Sequence, residues 1–372
     1  MLLRISHRTR FMYDLPAHDS HNELRLRPLE DAEQRCHFFE LSIDQPAAVI
    51  AYRDFFGNHA HSVSVSAPHR ELTIVARSVV ERPDTLVQKT WPEVSFRDFL
   101  TEDEAHIRDF CEFLNASHYI PFSKRLQRLF LMARPAETED VAAYVTRVVA
   151  WVRDQFDYQK ARTNVHSSVD DILKAGGGVC QDFAHLTIGL LRLAGVPARY
   201  VSGYLAPRIS LTGDAALGEQ ASHAWLEAWL PHAGWSGFDP TNRYRTDERH
   251  VRVAVGRDYA DVPPLRGVYR SHTTSQVMTV DLNVEHTVAT GVTDGTGADV
   301  TRADGTPFRR VASRSNELPR AILPLPRAAI LAWPLWGHPE RRLFTGGAVP
   351  GSLRAPRCDR GRCGSGLRSR AD

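Results

Sequence analysis

The segment Gly176-Gly177-Gly178-Val179-Cys180 constrains this chain more than any other. Three glycines in a row disfavour the interior of a helix or strand and permit positive φ or close backbone approach. Directly after them, Phe183, Leu186, Leu190 and Leu193 recur at helical spacing until Gly195-Val196-Pro197 ends the pattern. Cys180 therefore falls at the N-terminus of a helix that must be buried. Unpaired N–H groups and the helix dipole favour an anion there, which suits a thiolate and equally the oxyanion of a tetrahedral intermediate. A cysteine alone at a helix start is more often a small buried hydrophobe, so a catalytic role needs partner groups elsewhere in the chain.

Downstream, Ser222-His-Ala-Trp-Leu-Glu-Ala-Trp-Leu230 alternates, with His223, Trp225, Glu227 and Trp229 on one strand face and Ala224, Leu226, Ala228 and Leu230 on the other. A second short strand, Trp235 to Asp239, ends at Pro240, and His232-Ala233-Gly234 reads as the turn between the two. Strands joined this tightly are antiparallel neighbours, so His223 and Asp239 fall side by side. A thiolate needs an imidazole in hydrogen-bond reach, and the imidazole needs a carboxylate to fix its tautomer. Cys180, His223 and Asp239 supply these three types from helix, strand and strand.

Taken together, Gly-Gly-Gly-Val-Cys-Gln-Asp-Phe-Ala-His at 176–185, Tyr200-Val-Ser-Gly-Tyr204, Ser-His-Ala-Trp-Leu-Glu at 222–227 and Gly-Phe-Asp-Pro-Thr-Asn at 237–242 resemble the core of the bacterial transglutaminase-like superfamily. Residues 1–80 resemble the β-rich region that precedes this core in bacterial members, and 251–267 resemble the stretch after it. The resemblance covers about residues 1–283. It implies a papain-like α+β core and a catalytic triad at Cys180, His223 and Asp239. Chemically, Cys180 would attack an amide carbonyl, of a glutamine side chain or a peptide bond. His223 would carry the proton, Asp239 would orient it, and the backbone N–H of Cys180 with a neighbour would bind the oxyanion. An amine acceptor makes this a transglutaminase; water makes it a deamidase or cysteine peptidase. A non-catalytic peptide-binding module on the same fold is the alternative from another class. Trp225, Gln181 and Tyr204 are the expected substrate-binding residues. The expected partner is a protein or peptide, with no cofactor and no metal.

The rest of the chain divides by period. Residues 1–85 read as a β-rich domain: Leu3, Ile5, His7, Thr9, Phe11 and Tyr13 alternate with mostly polar neighbours. Glu23–Leu26, His37–Ile43, His61–Ser66 and Leu72–Val80 are further strand candidates, with Phe55-Phe56-Gly57-Asn58 as a turn. Such short strands point to an antiparallel sandwich-like domain. The core domain, 95–283, opens with helical patterns at 96–100, 105–114 and 141–156, with Thr138 and Asp140 as N-cap candidates for the last. Residues 290–372 are rich in Arg, Pro and Gly and have no sustained period, which predicts a disordered tail. From residue 301 onward there are fourteen arginines, no lysine and five acidic residues, a net +9 beside +2 for the whole chain. The remaining body is mildly acidic, which argues against nucleic acid as a main partner.

Other groups rank lower. His185 sits about 140° around the helix from Cys180, a poor position for a base. Asp182 reads as a first-turn charge. His59 and His61 share a strand face and His18 and His21 a loop, but no Cys or carboxylate completes ligand spacing. Cys358 and Cys363 lack a second pair. Trp229, Trp235, Tyr158 and Tyr200 are minor candidates for a groove wall. Five scattered cysteines suit a reducing compartment, and Met1–His7 has no apolar segment of signal-peptide length, so a cytoplasmic location is expected. No apolar run is long enough to span a membrane as a helix.

Overall fold

The alternation that opens the sequence continues much further than its first six apolar positions. In a computed structural model, which describes residues 1–83, 91–102, 109–160, 162–207, 222–242, 244–272, 275–287 and the backbone of 309–310, strand β1 runs from Leu2 to Leu24. Leu3, Ile5, His7, Thr9, Phe11 and Tyr13 are all buried along it, as the period-2 pattern requires. His18 and His21, expected in a loop, lie instead in this strand. The strand does not end at Pro16 because it bends: its register shifts between Met12 and Ala17, and Asp19 adopts φ 48°.

The bend lets one strand serve two sheet halves. The first half of β1 pairs with β5 (His69–Glu81) and β14 (Gln276–Thr287). The second half pairs with β4 (His59–Val65) and β13 (Leu265–Ser271). β2 (Arg35–Ile43) adds to β5, and β3 (Ala48–Arg53) adds to β4 through the Asp54–Asn58 turn, where Gly57 has φ 81°. Phe11, Tyr13, Leu24, Leu41, Ile43, Val63, Val65, Leu72 and Ile74 fill the space enclosed, giving the sandwich-like packing expected. Residues 265–287, assigned to the core domain on sequence, return instead to this sheet. The reason is that β1 needs a partner on each edge of both halves, and residues 35–81 supply only one edge of each.

Among the described residues, five helices precede or enter the core sheet: α1 (Phe96–Glu102), α2 (Lys124–Ala133), α3 (Val141–Gln155), α4 (Val169–Ala175) and α5 (Cys180–Leu193). Asp140 caps α3 as expected, its carboxylate accepting from Ala143 N at 2.7 Å. α5 is the central element, buried continuously from Gln181 to Arg192. It packs on α3 and on the core sheet, whose order is β11 (Tyr244–Arg245), β10 (Gly234–Asp239), β9 (Ser222–Leu230), β8 (Ala198–Leu205), β12 (His250–Gly256), all antiparallel. Ala224, Leu226, Ala228 and Leu230 face into this core together, confirming the alternation read for β9. No helix of the described residues is long and apolar enough to cross a membrane. The tail at 290–372, apart from the backbone of 309–310, lies outside the described residues.

β12 is an edge strand, and the N-terminal region covers it with side-chain amides. Gln34 Nε2 donates to Arg252 O at 2.7 Å while Arg252 N donates to Gln34 Oε1 at 2.8 Å. Asn58 Nδ2 donates to Val255 O and Val255 N donates to Asn58 Oδ1, both at 2.8 Å. Each carboxamide thus supplies the donor and acceptor that a neighbouring strand would offer. Apolar contact reinforces the junction: Leu3, Ile5 and Val80 pack with Tyr204, Val251 and Val253. The buried polar positions of β1 are used here as well, since His7 Nδ1 meets the Tyr204 hydroxyl at 3.0 Å and Thr9 meets His7 Nε2 at 3.3 Å.

Replacing Gln34 by Ala should therefore orphan the buried Arg252 N–H, whose carbonyl keeps Leu29 N, and replacing Asn58 by Ala should orphan the Val255 N–H and C=O, at a cost on the order of 1–3 kcal/mol for each orphaned group. Denaturant titration should show a lower midpoint for each variant with little change in slope; wild-type midpoints would mean that water or relaxation replaces the amides.

Candidate active site

The three glycines deliver the chain to α5 under three separate demands. Gly176 ends α4 with φ 74°, Gly177 leaves room for Asp157 O, which a Cβ would approach to 2.3 Å, and Gly178 leaves room for the Asp182 carboxylate, 2.2 Å from a Cβ there. Gly177–Gly178 (β7) pairs in parallel with Asp157–Tyr158 (β6). Asp182 Oδ2 accepts from Val179 N at 2.7 Å and from the Thr163 hydroxyl at 2.5 Å, which ties the first turn of α5 in place. Burial raises the Asp182 pKa against these hydrogen bonds. Cys180, half-buried and free, is the first residue of that helix.

His223 starts β9 and Asp239 ends β10, and the register that opposes Leu226 to Phe238 brings those two ends together. A carboxylate can only accept, so His223 Nε2–H donates to Asp239 Oδ2, at 2.7 Å. Asp239 is fully buried and collects four further donors. Asn242 Nδ2 and His250 Nε2 reach Oδ2 at 2.7 and 3.3 Å, while Thr241 N and Asn242 N reach Oδ1 at 2.9 and 3.2 Å. Burial alone would raise the Asp239 pKa; the hydrogen bonds and charges of His223 and His250 overcome it and hold the group far below the usual carboxylate range.

With Nε2 committed to Asp239, Nδ1 is the ring nitrogen that remains for another partner, and Cys180 is near enough to act on the imidazole's charge. Burial pulls the imidazole pKa down, but hydrogen bonds and charge from Asp239 and Cys180 outweigh it and raise the group to about 10. The arrangement favours an imidazolium held by Asp239 near the start of α5.

The expected substrate-binding residues fare differently. Trp225 is 1% exposed and Tyr204 3%, so neither offers a surface to a ligand. Trp225 fills the core behind the histidines, and Tyr204 is held against His7 in the junction with the N-terminal sheet. Gln181 spends its side-chain N–H₂ on Val165 O at 3.1 Å and is largely buried, so it latches a loop. Tyr158, 39% exposed and paired across β6–β7 with Gly178, is the tyrosine that faces outward near Cys180. Trp229 and Trp235 pack with Phe110 in an aromatic cluster at the far end of β9.

Rival acid–base groups are accounted for. His185 is fully buried, accepts from Tyr259 N at 3.1 Å, and burial pushes its pKa down to about 4. Glu227, on the His223 face of β9, is paired with Arg199 at 2.6 Å and Arg252 at 3.2 Å. Among the described residues, the grouping able to offer a metal three ligand atoms is His223, Asp239 and His250, within 4.8 Å of one another. Those same atoms already bond one another as N–H···O pairs. The sequence reading missed His250 altogether, and nothing in its local pattern marks it. Asn242 stood in the quoted Asp-Pro-Thr-Asn motif, and an Asx-type turn after Asp239 was the available signal.

Because the His223 pKa is raised on folding, its contribution to stability is complete below the ordinary value of 6.5 and disappears as pH climbs through about 10. Wild-type protein should accordingly lose stability relative to a His223→Gln variant across that window. Parallel denaturation curves at every pH would contradict the ion-pair geometry.

Comparison with known proteins gives two family matches. Residues 3–81 match the bacterial transglutaminase-like N-terminal region, and residues 132–240 match the transglutaminase-like superfamily. An uncharacterized protein of Mycobacterium leprae is 37% identical over 273 residues, covering 72% of this chain and 92% of its own length. A protein-glutamine gamma-glutamyltransferase of Pseudomonas aeruginosa is 37% identical over 107 residues, which is 26% of this chain and 16% of that protein. The solved structure of a candidate cysteine protease from Cytophaga hutchinsonii aligns with TM-score 0.58 at 22% identity, over 77% of this chain and 92% of that one. It shares the fold: a papain-like α+β core with a sheet-rich N-terminal region.

Proposed function

The chain belongs to the transglutaminase-like superfamily, and on that premise we propose that it is a thiol enzyme acting on amide bonds through Cys180, His223 and Asp239. The observation that carries this reading is the buried His223 Nε2–Asp239 bond of 2.7 Å, made where Cys180 at the start of α5 helps to raise the same imidazole's proton affinity. A peptide-binding module has no use for a buried carboxylate that orders an imidazole against a thiol.

The chemistry builds on these groups. The Cys180 sulfur attacks the carbonyl carbon of a glutamine side chain or a peptide bond, and the C–S bond forms as the carbonyl π electrons move to oxygen. Backbone N–H groups in the first turn of α5 stabilise that oxyanion. Imidazolium Nδ1–H of His223 gives its proton to the leaving nitrogen, the C–N bond breaks, and a thioester remains. An acceptor then attacks the thioester while His223 takes its proton, and Cys180 leaves as thiolate. An amine acceptor yields a new amide; water yields a carboxylate by deamidation or cleavage. The substrate class is a protein or peptide, and the reaction needs no group beyond these side chains and the helix start. A cytoplasmic, reducing setting belongs to the proposal, on the ground that five scattered cysteines in 372 residues make no disulfide framework.

Mass spectrometry of glutamine-containing peptides, incubated with enzyme with and without an added primary amine, separates amine incorporation, deamidation and chain cleavage as three mass changes. Cys180→Ala should abolish whichever appears, since loss of a triad nucleophile costs up to about 10⁶ in kcat. Asp239→Asn should slow turnover by up to about 10⁴ through the wrong imidazole tautomer. Turnover that survives in purified Cys180→Ala protein would refute the thiol mechanism.

A further inference from the structure

Asp239 carries a second imidazole that the three-residue reading does not use. His250, on β12, is 1% exposed, and its Nε2 lies 3.3 Å from the same Oδ2 that receives His223. A carboxylate oxygen only accepts, so His250 Nε2 bears a proton and donates it in hydrogen bonding. The other ring nitrogen is also fixed. Nδ1 accepts from Asp247 N at 3.1 Å, with Asp247 Oδ1 2.9 Å away, and Asp247 is itself gripped by Arg249 through Nε and Nη2 at 2.9 and 2.6 Å. The Trp225 ring stands edge-on to His250 at 5.2 Å and 78°, with His223 at 6.3 Å. Gly203 makes room for that indole, since a Cβ there would come within 2.5 Å of it.

We propose that His250 is a positioning residue for the triad, holding Asp239 Oδ2 so that His223 keeps Nδ1 on Cys180. The inference rests on the thiol-enzyme reading above and adds a fourth member to it. The physical argument is one of over-determination. A histidine kept only for packing has no need of a bond at each ring nitrogen, yet this one is held between the Asp239 carboxylate and the Asp247 N–H. Its strand is in turn clamped by Gln34 and Asn58, so the imidazole cannot drift without breaking buried hydrogen bonds. The Asp239 turn fixes Oδ1 through two backbone N–H groups, while His250 and the Asn242 amide fix Oδ2. Without His250, the carboxylate loses one of the donors that set its plane, and the His223 ring that depends on it spends less time aligned with the thiol.

Alkylation of Cys180 by iodoacetamide, with site-resolved mass spectrometry on the full chain across pH, tests this without a known substrate. Wild-type Cys180 should react much faster than Cys111 at neutral pH. His250→Leu should slow the neutral-pH rate by about 10-fold, the scale of a buried hydrogen bond to a charged group. The rate should rejoin wild type at alkaline pH, where the thiol ionises without help. His250→Gln, whose amide N–H reaches toward Asp239, should recover most of the loss. A His250→Leu profile equal to wild type, or slowed by one factor at every pH, overturns the proposal. Should that variant fail to fold, His250→Asn takes its place, its shorter amide falling short of Asp239, with a slowing of the same pH shape expected and a wild-type profile decisive against the proposal. A wild-type Cys180 no more reactive than Cys111 instead refutes the thiol-enzyme reading and this inference with it, a result distinct from any His250 outcome.

Discussion

A carboxylate with no exposed surface remains ionised only if its surroundings supply what water would, and Asp239 is supplied by five donors. Two come from the backbone of the turn just after it, one from the Asn242 amide and two from imidazoles. That satisfaction lets a charge persist in the core sheet, and the charge in turn keeps His223 oriented and protonated beside Cys180. The remaining local structure is arranged to deliver its participants: β9 brings His223, β10 and its proline turn bring Asp239, β12 brings His250, and the glycine run starts α5 at the thiol.

The N-terminal region takes part in this arrangement through its grip on β12. An exposed strand edge invites other strands, and here two side-chain amides from the loops around Gln34 and Asn58 close it. The same loops contribute Leu29 and Phe56 against Val201, Trp225 and Val255, the layer directly beneath the histidines. β13 and β14 then return to β1, so the two regions are joined at both ends of the described fold. The β-rich region is therefore a structural support for the strand that carries His250.

Much of this was legible in the sequence wherever the signal was local. The apolar alternation at Leu3–Tyr13 and Ala224–Leu230, the cap at Asp140 and the helix from Cys180 to Leu193 each arise from residue spacing over a few turns or pairs. The aromatic residues near the motifs were less legible. Trp225 and Tyr204 share strands with the site, but the face they occupy is covered by the N-terminal region, a fact no window on either strand contains. β1 was cut short for a similar reason: His18 and His21 read as a loop, whereas pairing on both edges carries the strand through a bend.

What the sequence by itself determined is the local placement of three groups. A thiol at a helix start and an imidazole and a carboxylate on adjoining antiparallel strands are consequences of local pattern, because glycine runs, helical period and tight turns act over short range. What only the tertiary structure decided is how the carboxylate is held and which side chains are left facing solvent. His250 lies on a strand separated from β9 by β8, and its approach to Asp239 depends on sheet order, on the missing side chain at Gly203 and on the clamp from Gln34 and Asn58. Those are long-range contacts, and their energy is gained only once the chain has already brought both ends of the described fold together.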